Sequence, residues 1–213
     1  MNILYIIQKL YIWFLGIIFF LYTLVIIPIF AMTTQDLQIR LNKITSFHAT
    51  FSQQITSAEG TIMQHGKGEL WIKRPNFFNC QMILPDKNVL ISDGENLWFY
   101  NPFIEQVTVN WLKDTINNTP FMLIIRNNSS DWQQYNIKQQ NDNFKLIPKT
   151  PNSNLKQFKI TVTANGVIKT FSIIEQDGQQ NTYFFKEQSN NNINTNKFKF
   201  NLPKSATLDD QRQ

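Results

Sequence analysis

Cysteine occurs once in this 213-residue chain, at Cys80, and histidine only twice, at His48 and His65. A single cysteine excludes an internal disulfide. Two histidines, neither near an acid–cysteine cluster, leave no metal-ligand spacing, so no metal and no cofactor is expected. The chain has no GxSxG element, no phosphate-cradling glycine loop and no motivated Cys–His pair. Asp209-Asp210 is a paired carboxylate only in sequence, because adjacent residues of an extended segment point apart. These absences argue against an enzyme. Cys80 falls at an inward strand parity, where a small buried hydrophobe is the expected role. Charge of either sign is sparse too. The formal net charge is +5, and the lysines are scattered rather than interleaved with aromatics, which argues against a nucleic-acid surface.

Glycine is scarce, with seven in the chain, and three of them follow Asp or Asn in turn dipeptides. Asp93-Gly94, Asn165-Gly166 and Asp177-Gly178 are hairpin signals set between short alternating runs. Counting those runs from Phe47 onward gives about eleven strands joined by hairpin-length connections. The expected fold is mainly β with a few helices: an antiparallel meander curling into a barrel or half-barrel. TTQDLQIRLNKITSF opens it with a helix, Thr33 or Thr34 as cap and Leu37, Leu41 and Ile44 as its apolar stripe. WQQYNIKQ (132–139) reads as a strand. The Asn-rich stretch 190–196 reads as a solvated loop.

One run is long and apolar. Residues 1–31 carry Lys9 as their only charge, and Leu10 to Phe30 is nearly continuous hydrophobic sequence. This is the pattern of a secretory leader ending at Ala31, ahead of a domain spanning 32–213. It exceeds the roughly 7–15 apolar residues usual for a leader and is long enough to span a bilayer, so a retained anchor stays open. Either outcome exports the remainder. No cysteine stands near Ala31, so the chain lacks the residue that a bacterial lipoprotein carries directly after its leader to hold its lipid.

Two segments raise sharper questions. In GELWIKRPNFFNCQMIL the even positions Leu70, Ile72, Phe78, Cys80 and Met82 share one face, and Arg74 falls in line with them, aimed at the edge of an apolar interior. Further on, Pro120 starts a short helix with Thr119 as its cap, and Phe121, Met122, Leu123, Ile124 and Ile125 make it apolar all round. Such a helix plugs a core or lids a cavity.

The stretches WIKRPNFFNCQM, SDGENLWFYNPFIEQ, NWLKDTINNTPFMLIIRNNSSDWQQYNIKQ and NLKQFKI resemble the periplasmic outer-membrane lipoprotein carriers of the Lol pathway, from about Asp36 to the C-terminal LDDQRQ. The resemblance implies an unclosed eleven-stranded antiparallel barrel with a helical lid over an apolar cavity. It implies a periplasmic monomer that accepts triacylated lipoproteins from an ATP-driven exporter in the inner membrane and delivers them to an outer-membrane receptor. It also implies that Arg74 latches the lid through backbone carbonyls at Leu41, Ile124 and Ile125, and that Phe78 contacts cargo near the mouth. Further candidates for the acyl-chain cavity are Leu70, Ile72, Met82, Ile91, Phe121, Met122 and Leu123. Where the family pattern leads one to expect tryptophan, this chain has Cys80. The competing readings are the outer-membrane receptor of the same pathway, which shares the fold but needs a lipidated cysteine, and a periplasmic lipid-sensing module, which needs a second domain.

Overall fold

The computed structural model describes residues 29–115, 120–150 and 155–212, with the side chains of residues 29–32, 120 and 121 outside the description. The candidate leader, the Thr119 cap and the Phe121 side chain therefore lie outside the described residues. The chain divides into Met1–Met32 and Thr33–Gln213, and the second unit carries the sheet. Among the described residues, no helix is long and apolar enough to cross a membrane.

A single sheet holds twelve strands in the order β12-β6-β5-β4-β3-β2-β1-β11-β10-β9-β8-β7. The strands are β1 (Ser46–Thr56), β2 (Ile62–Lys73), β3 (Phe77–Leu84), β4 (Asn88–Asp93), β5 (Asn96–Asn101), β6 (Gln106–Trp111), β7 (Tyr135–Gln140), β8 (Asn143–Pro148), β9 (Leu155–Val162), β10 (Ile168–Glu175), β11 (Gln180–Ser189) and β12 (Thr207–Asp210). β7 and β12 are the two ends of the order and do not pair with each other, so the barrel is unclosed. Eleven strands form antiparallel pairs, as the hairpin spacing dictates. The twelfth is an addition to the expected count: the four residues of β12 run parallel to β6 at the edge. A four-residue strand carries too little alternation to be read from sequence.

The register fixes the interior. One row across adjacent strands reads Ala49, Leu70, Cys80, Leu90, Phe99, and the next reads Phe47, Ile72, Phe78, Ser92, Leu97. On the other flank Tyr183, Phe171, Ile160 and Phe144 align in the same way. Because side chains alternate between faces, each row presents apolar groups to one side only. At Gly68 a methyl group would stand 2.5 Å from the Phe51 ring and 2.3 Å from the carbonyl of Gln81, so only glycine lets Phe51 lie flat on the wall.

Among the described residues four α-helices accompany the sheet: α1 (Ile29–Asn42), α2 (Leu112–Thr115), α3 (Pro120–Arg126) and α4 (Ser129–Trp132). α1 begins before Thr33 and Thr34, so neither is its cap. Its expected stripe is buried, with Leu37 and Leu41 fully covered and Ile44 nearly so. Arg40 bolts α1 to the far flank of the sheet. Its guanidinium donates to Asp36 at 3.0 Å, to Asp142 at 2.6 Å and to the carbonyl of Val162 at 2.8 Å, and it lies over the Phe144 ring. Trp132 closes α4 rather than opening a strand. Asn128 caps that helix by accepting the N–H of Ser130, and this local bond overrides the β pattern of the following residues.

The Asn-rich stretch is not simply solvated. The carbonyl of Asn191 accepts from Ser46, and the Asn192 side chain and Ile193 carbonyl accept from Lys73. The chain then makes a 3-10 turn (Thr195–Phe198) that buries Phe198 at 1% exposure. Phe198 packs on Phe77, and Phe200 stacks on Trp98 at 5.1 Å. This segment is a strap over the outer face of β2–β6, covering a second apolar patch that includes Val107 and Val109.

Candidate functional site

The concave face keeps a partly open hollow of about 180 Å³, bounded by Phe51, Leu70, Phe78, Cys80, Leu90, Phe171, Ile173, Tyr183 and Phe185. Its walls are almost wholly apolar. The Tyr183 hydroxyl turns away to accept from Gln53 and Asn181 at 3.1 and 3.3 Å, so the polar end of that ring is satisfied within the wall. Such a lining offers a water few polar partners and favours an apolar occupant.

Leu70 and Phe78 bound the hollow, as strand parity places them. Ile72, Met122 and Leu123 belong to the same buried core without bounding the hollow, and Met82 packs partly buried at its margin. Ile91 requires correction. It pairs with Asn79 and Trp98, whose side chains face outward, so its 6% exposure results from the strap and not from the cavity. Leu90 is the inward residue, facing Cys80 and Phe99. Parity carried along a single strand is reliable, but the turn at 85–87 resets it, and the VLIS run is apolar at both parities. Sequence reasoning also passed over Phe51, Phe171, Ile173, Tyr183 and Phe185, whose alternation in β1, β10 and β11 carried the same signal.

Burial pushes the Cys80 thiol up to about 12. The folded chain therefore holds this proton at pH values where the unfolded chain, with a thiol near 9.0, releases it. Stability from this group is intact below pH 9 and is lost as pH rises towards 12. Maleimide labelling at pH 8 should run about a thousandfold below that of a free thiol, because the thiolate fraction falls by that factor. A rate near that of the denatured chain would show that the hollow stands open.

Arg74 follows β2 in the turn that leads to β3, and its Nη2 donates to the carbonyl of Ile124 at 2.8 Å. That carbonyl is an orphan of the last turn of α3. Asn127, in the left-handed conformation at φ 47°, ends the helix by donating its N–H to Leu123, which leaves the next carbonyl free. The helix C-terminus is also the negative end of its dipole, which suits a cation. The three-carbonyl latch needs correction here. The carbonyl of Leu41 accepts the N–H of Ile44 at 3.0 Å, and neither it nor Ile125 receives a bond from Arg74. Leu41 and Ile125 contribute instead as fully buried side chains. The Leu41 carbonyl is taken up by the turn that ends α1, which leaves Ile124 as the carbonyl that Arg74 reaches.

Among the described residues Arg74 has no carboxylate partner, and its Nε is buried without a hydrogen-bond partner. Burial alone lowers its pKa from 12.5 to about 10, which still leaves it protonated at neutral pH. The displacement corresponds to a cost on the order of 3 kcal/mol for holding the cation there. A bond from a charged donor contributes about 1.5–3 kcal/mol. The cost of desolvating the cation offsets part of what the bond contributes, so the contact is weaker than an exposed charge would suggest.

The helices themselves form one tied group. Asn127 donates to the Gln38 carbonyl at 3.1 Å and to the Asn42 side chain at 2.7 Å, while accepting the indole N–H of Trp132 at 2.8 Å. With Arg40 fastening α1 to β7–β9, the group moves with that flank of the sheet. Arg74–Ile124 is the polar tie to the β2–β3 flank.

Fold and site together define an unclosed β-barrel with a lidded apolar hollow. The chain belongs to the family described as outer membrane lipoprotein carrier protein LolA, whose model matches residues 42–201. It is 61% identical over 183 residues to the outer-membrane lipoprotein carrier protein of Yersinia enterocolitica serotype O:8 / biotype 1B, covering 86% of this chain and 90% of that one. It is 60% identical over 186 residues to the protein of the same name from Sodalis glossinidius, covering 87% and 92%. Among solved structures, an uncharacterized conserved protein from Thermus thermophilus matches with a TM-score of 0.57 at 12% identity, covering 83% of this chain and 98% of that one, which shows the shared fold.

Proposed function

We propose that this protein is a periplasmic chaperone that shields the acyl chains of triacylated lipoproteins. It takes them from an ATP-driven exporter in the inner membrane and delivers them to an outer-membrane receptor. The observation that supports this reading is the apolar hollow on the concave face, beside helices that Arg74 ties to the β2–β3 flank through the Ile124 carbonyl.

Magnitudes explain the arrangement. Each buried methylene contributes about 0.8 kcal/mol, and one myristoyl chain already gives marginal membrane binding. Three longer chains need shelter in water, yet a preformed cavity using all their area would not release them. The hollow of about 180 Å³ is close to the roughly 150 Å³ of an engineered cavity that accepts a benzene ring, far too small for three acyl chains. Loading requires the two flanks to part, exposing Leu70, Phe78, Leu90 and Phe171 to the chains. The free energy of parting subtracts from cargo affinity. A receptor that binds more tightly can then draw the cargo onward without fuel.

The direct test is sedimentation. A triacylated lipoprotein diluted out of detergent should stay in the supernatant as a one-to-one complex with this protein and pellet without it. Equal pelleting in both cases would overturn the proposal.

A further inference from the structure

The outer face of β7–β9 carries a feature that acyl-chain shelter does not use. Lys138 pairs directly with Lys145, and Lys145 with Lys159, so three lysines stand in one row across adjacent strands. All three are exposed. Like charges placed directly opposite one another disfavour strand pairing. No carboxylate relieves the row. The outward positions of these strands and of β10 hold asparagine, glutamine, threonine, serine and isoleucine besides the lysines. Asp142, in the nearby turn, is already engaged by Arg40. Lys138 lies on an edge strand, where a lysine guards against unwanted pairing. That reason does not extend to Lys145 and Lys159, which lie on interior strands.

The row floors a groove of about 670 Å³, walled on one side by Thr161, Thr170 and Ser172. Those walls are pre-ordered: Thr170 donates to Thr161, and Thr161 to Asn143, at 2.8 and 2.7 Å. We propose that this groove docks an acidic polypeptide segment of a protein partner, its carboxylates facing Lys138, Lys145 and Lys159. Strand spacing of about 4.8 Å sets the outer lysines about 10 Å apart, within reach of an extended segment with acids at alternate residues. A bilayer surface fits less well. The site is concave, and its walls offer hydroxyls rather than the bulky apolar groups that enter a lipid interface. Since the groove lies on the face opposite the hollow, a partner can dock here while the interior is loaded, and the proposal stands independently of what the interior holds.

The test is fluorescence anisotropy of a labelled decaglutamate peptide titrated with the purified protein at about 50 mM salt, where surface charge is weakly screened. K138Q/K145Q/K159Q should weaken binding at least about tenfold. The charge-matched control K67Q/K87Q/K204Q, at three other exposed lysines, should change it less than about twofold. Peptide carrying a central photo-crosslinker should attach within residues 135–162. Equal losses in both triple variants would reduce the effect to net charge and overturn the proposal. So would no binding, or row-dependent binding to phosphatidylglycerol vesicles without binding to the peptide.

Discussion

Arg74→Leu should leave the protein folded, with a melting temperature unchanged or slightly raised, and slow release of lipoprotein to an outer-membrane receptor at least about tenfold. In the closed state the variant loses the 2.8 Å bond to Ile124 but also the burden of a buried, under-partnered cation. Replacing such a charge with an apolar group of similar size is often neutral or stabilising. In the loaded state the balance differs. Acyl chains displace α3, the guanidinium loses its carbonyl, and a cation faces methylenes. Leucine removes that penalty and adds apolar contact, so the loaded state gains more than the closed one. A gain equal to one charged hydrogen bond, about 1.5–3 kcal/mol, is a tenfold effect or more. Transfer from the carrier to immobilised receptor measures it, and wild-type transfer by the variant would refute the role of Arg74. Arg74→Lys separates one carbonyl from several. With Ile124 as the single acceptor, one ammonium suffices and transfer should stay near normal.

Trp132→Ala should cost about 3–5 kcal/mol, the range for truncating a fully buried large aromatic. Trp132 is completely covered, and its indole N–H holds Asn127, which in turn holds Gln38 and Asn42. The substitution empties the junction of three helices and frees the residue that ends α3 and so exposes the Ile124 carbonyl to Arg74. For a domain of this size the loss should lower the melting temperature by roughly 6–20 °C. Trp132→Phe keeps most of the bulk and leaves the Asn127 oxygen without its donor, which should cost about 1–2 kcal/mol. Thermal and urea unfolding distinguish the two. A loss below about 1 kcal/mol for the alanine variant would mean that the helices do not depend on this junction.

Much of this architecture is written in short-range patterns. The alternation of Phe47, Ala49 and Phe51, or of Leu70 and Ile72, names an inner face because a strand has period two. The turn dipeptides at 93–94, 165–166 and 177–178 set the hairpin order because glycine tolerates φ of 85–98° at each of them. The all-apolar run of α3 marked it as a covered helix before anything covered it. What failed did so where a distant segment intervened. Ile91 looked inward because it is apolar in a run apolar at both parities, and the outward patch it joins is covered by the strap formed further along the chain. Trp132 read as strand because its helix is a single turn defined by one side-chain cap.

Local sterics and alternation along each strand were enough to specify the meander, its inner face and an arginine at the mouth. It took the packed molecule to bring one carbonyl, at Ile124, to Arg74 fifty residues away, to turn Leu90 rather than Ile91 toward the hollow, and to stand the lysines of three successive strands in one row. Which residues face each other across a turn depends on the register of the strands, and that register is fixed by the packing of the whole sheet rather than by any one stretch.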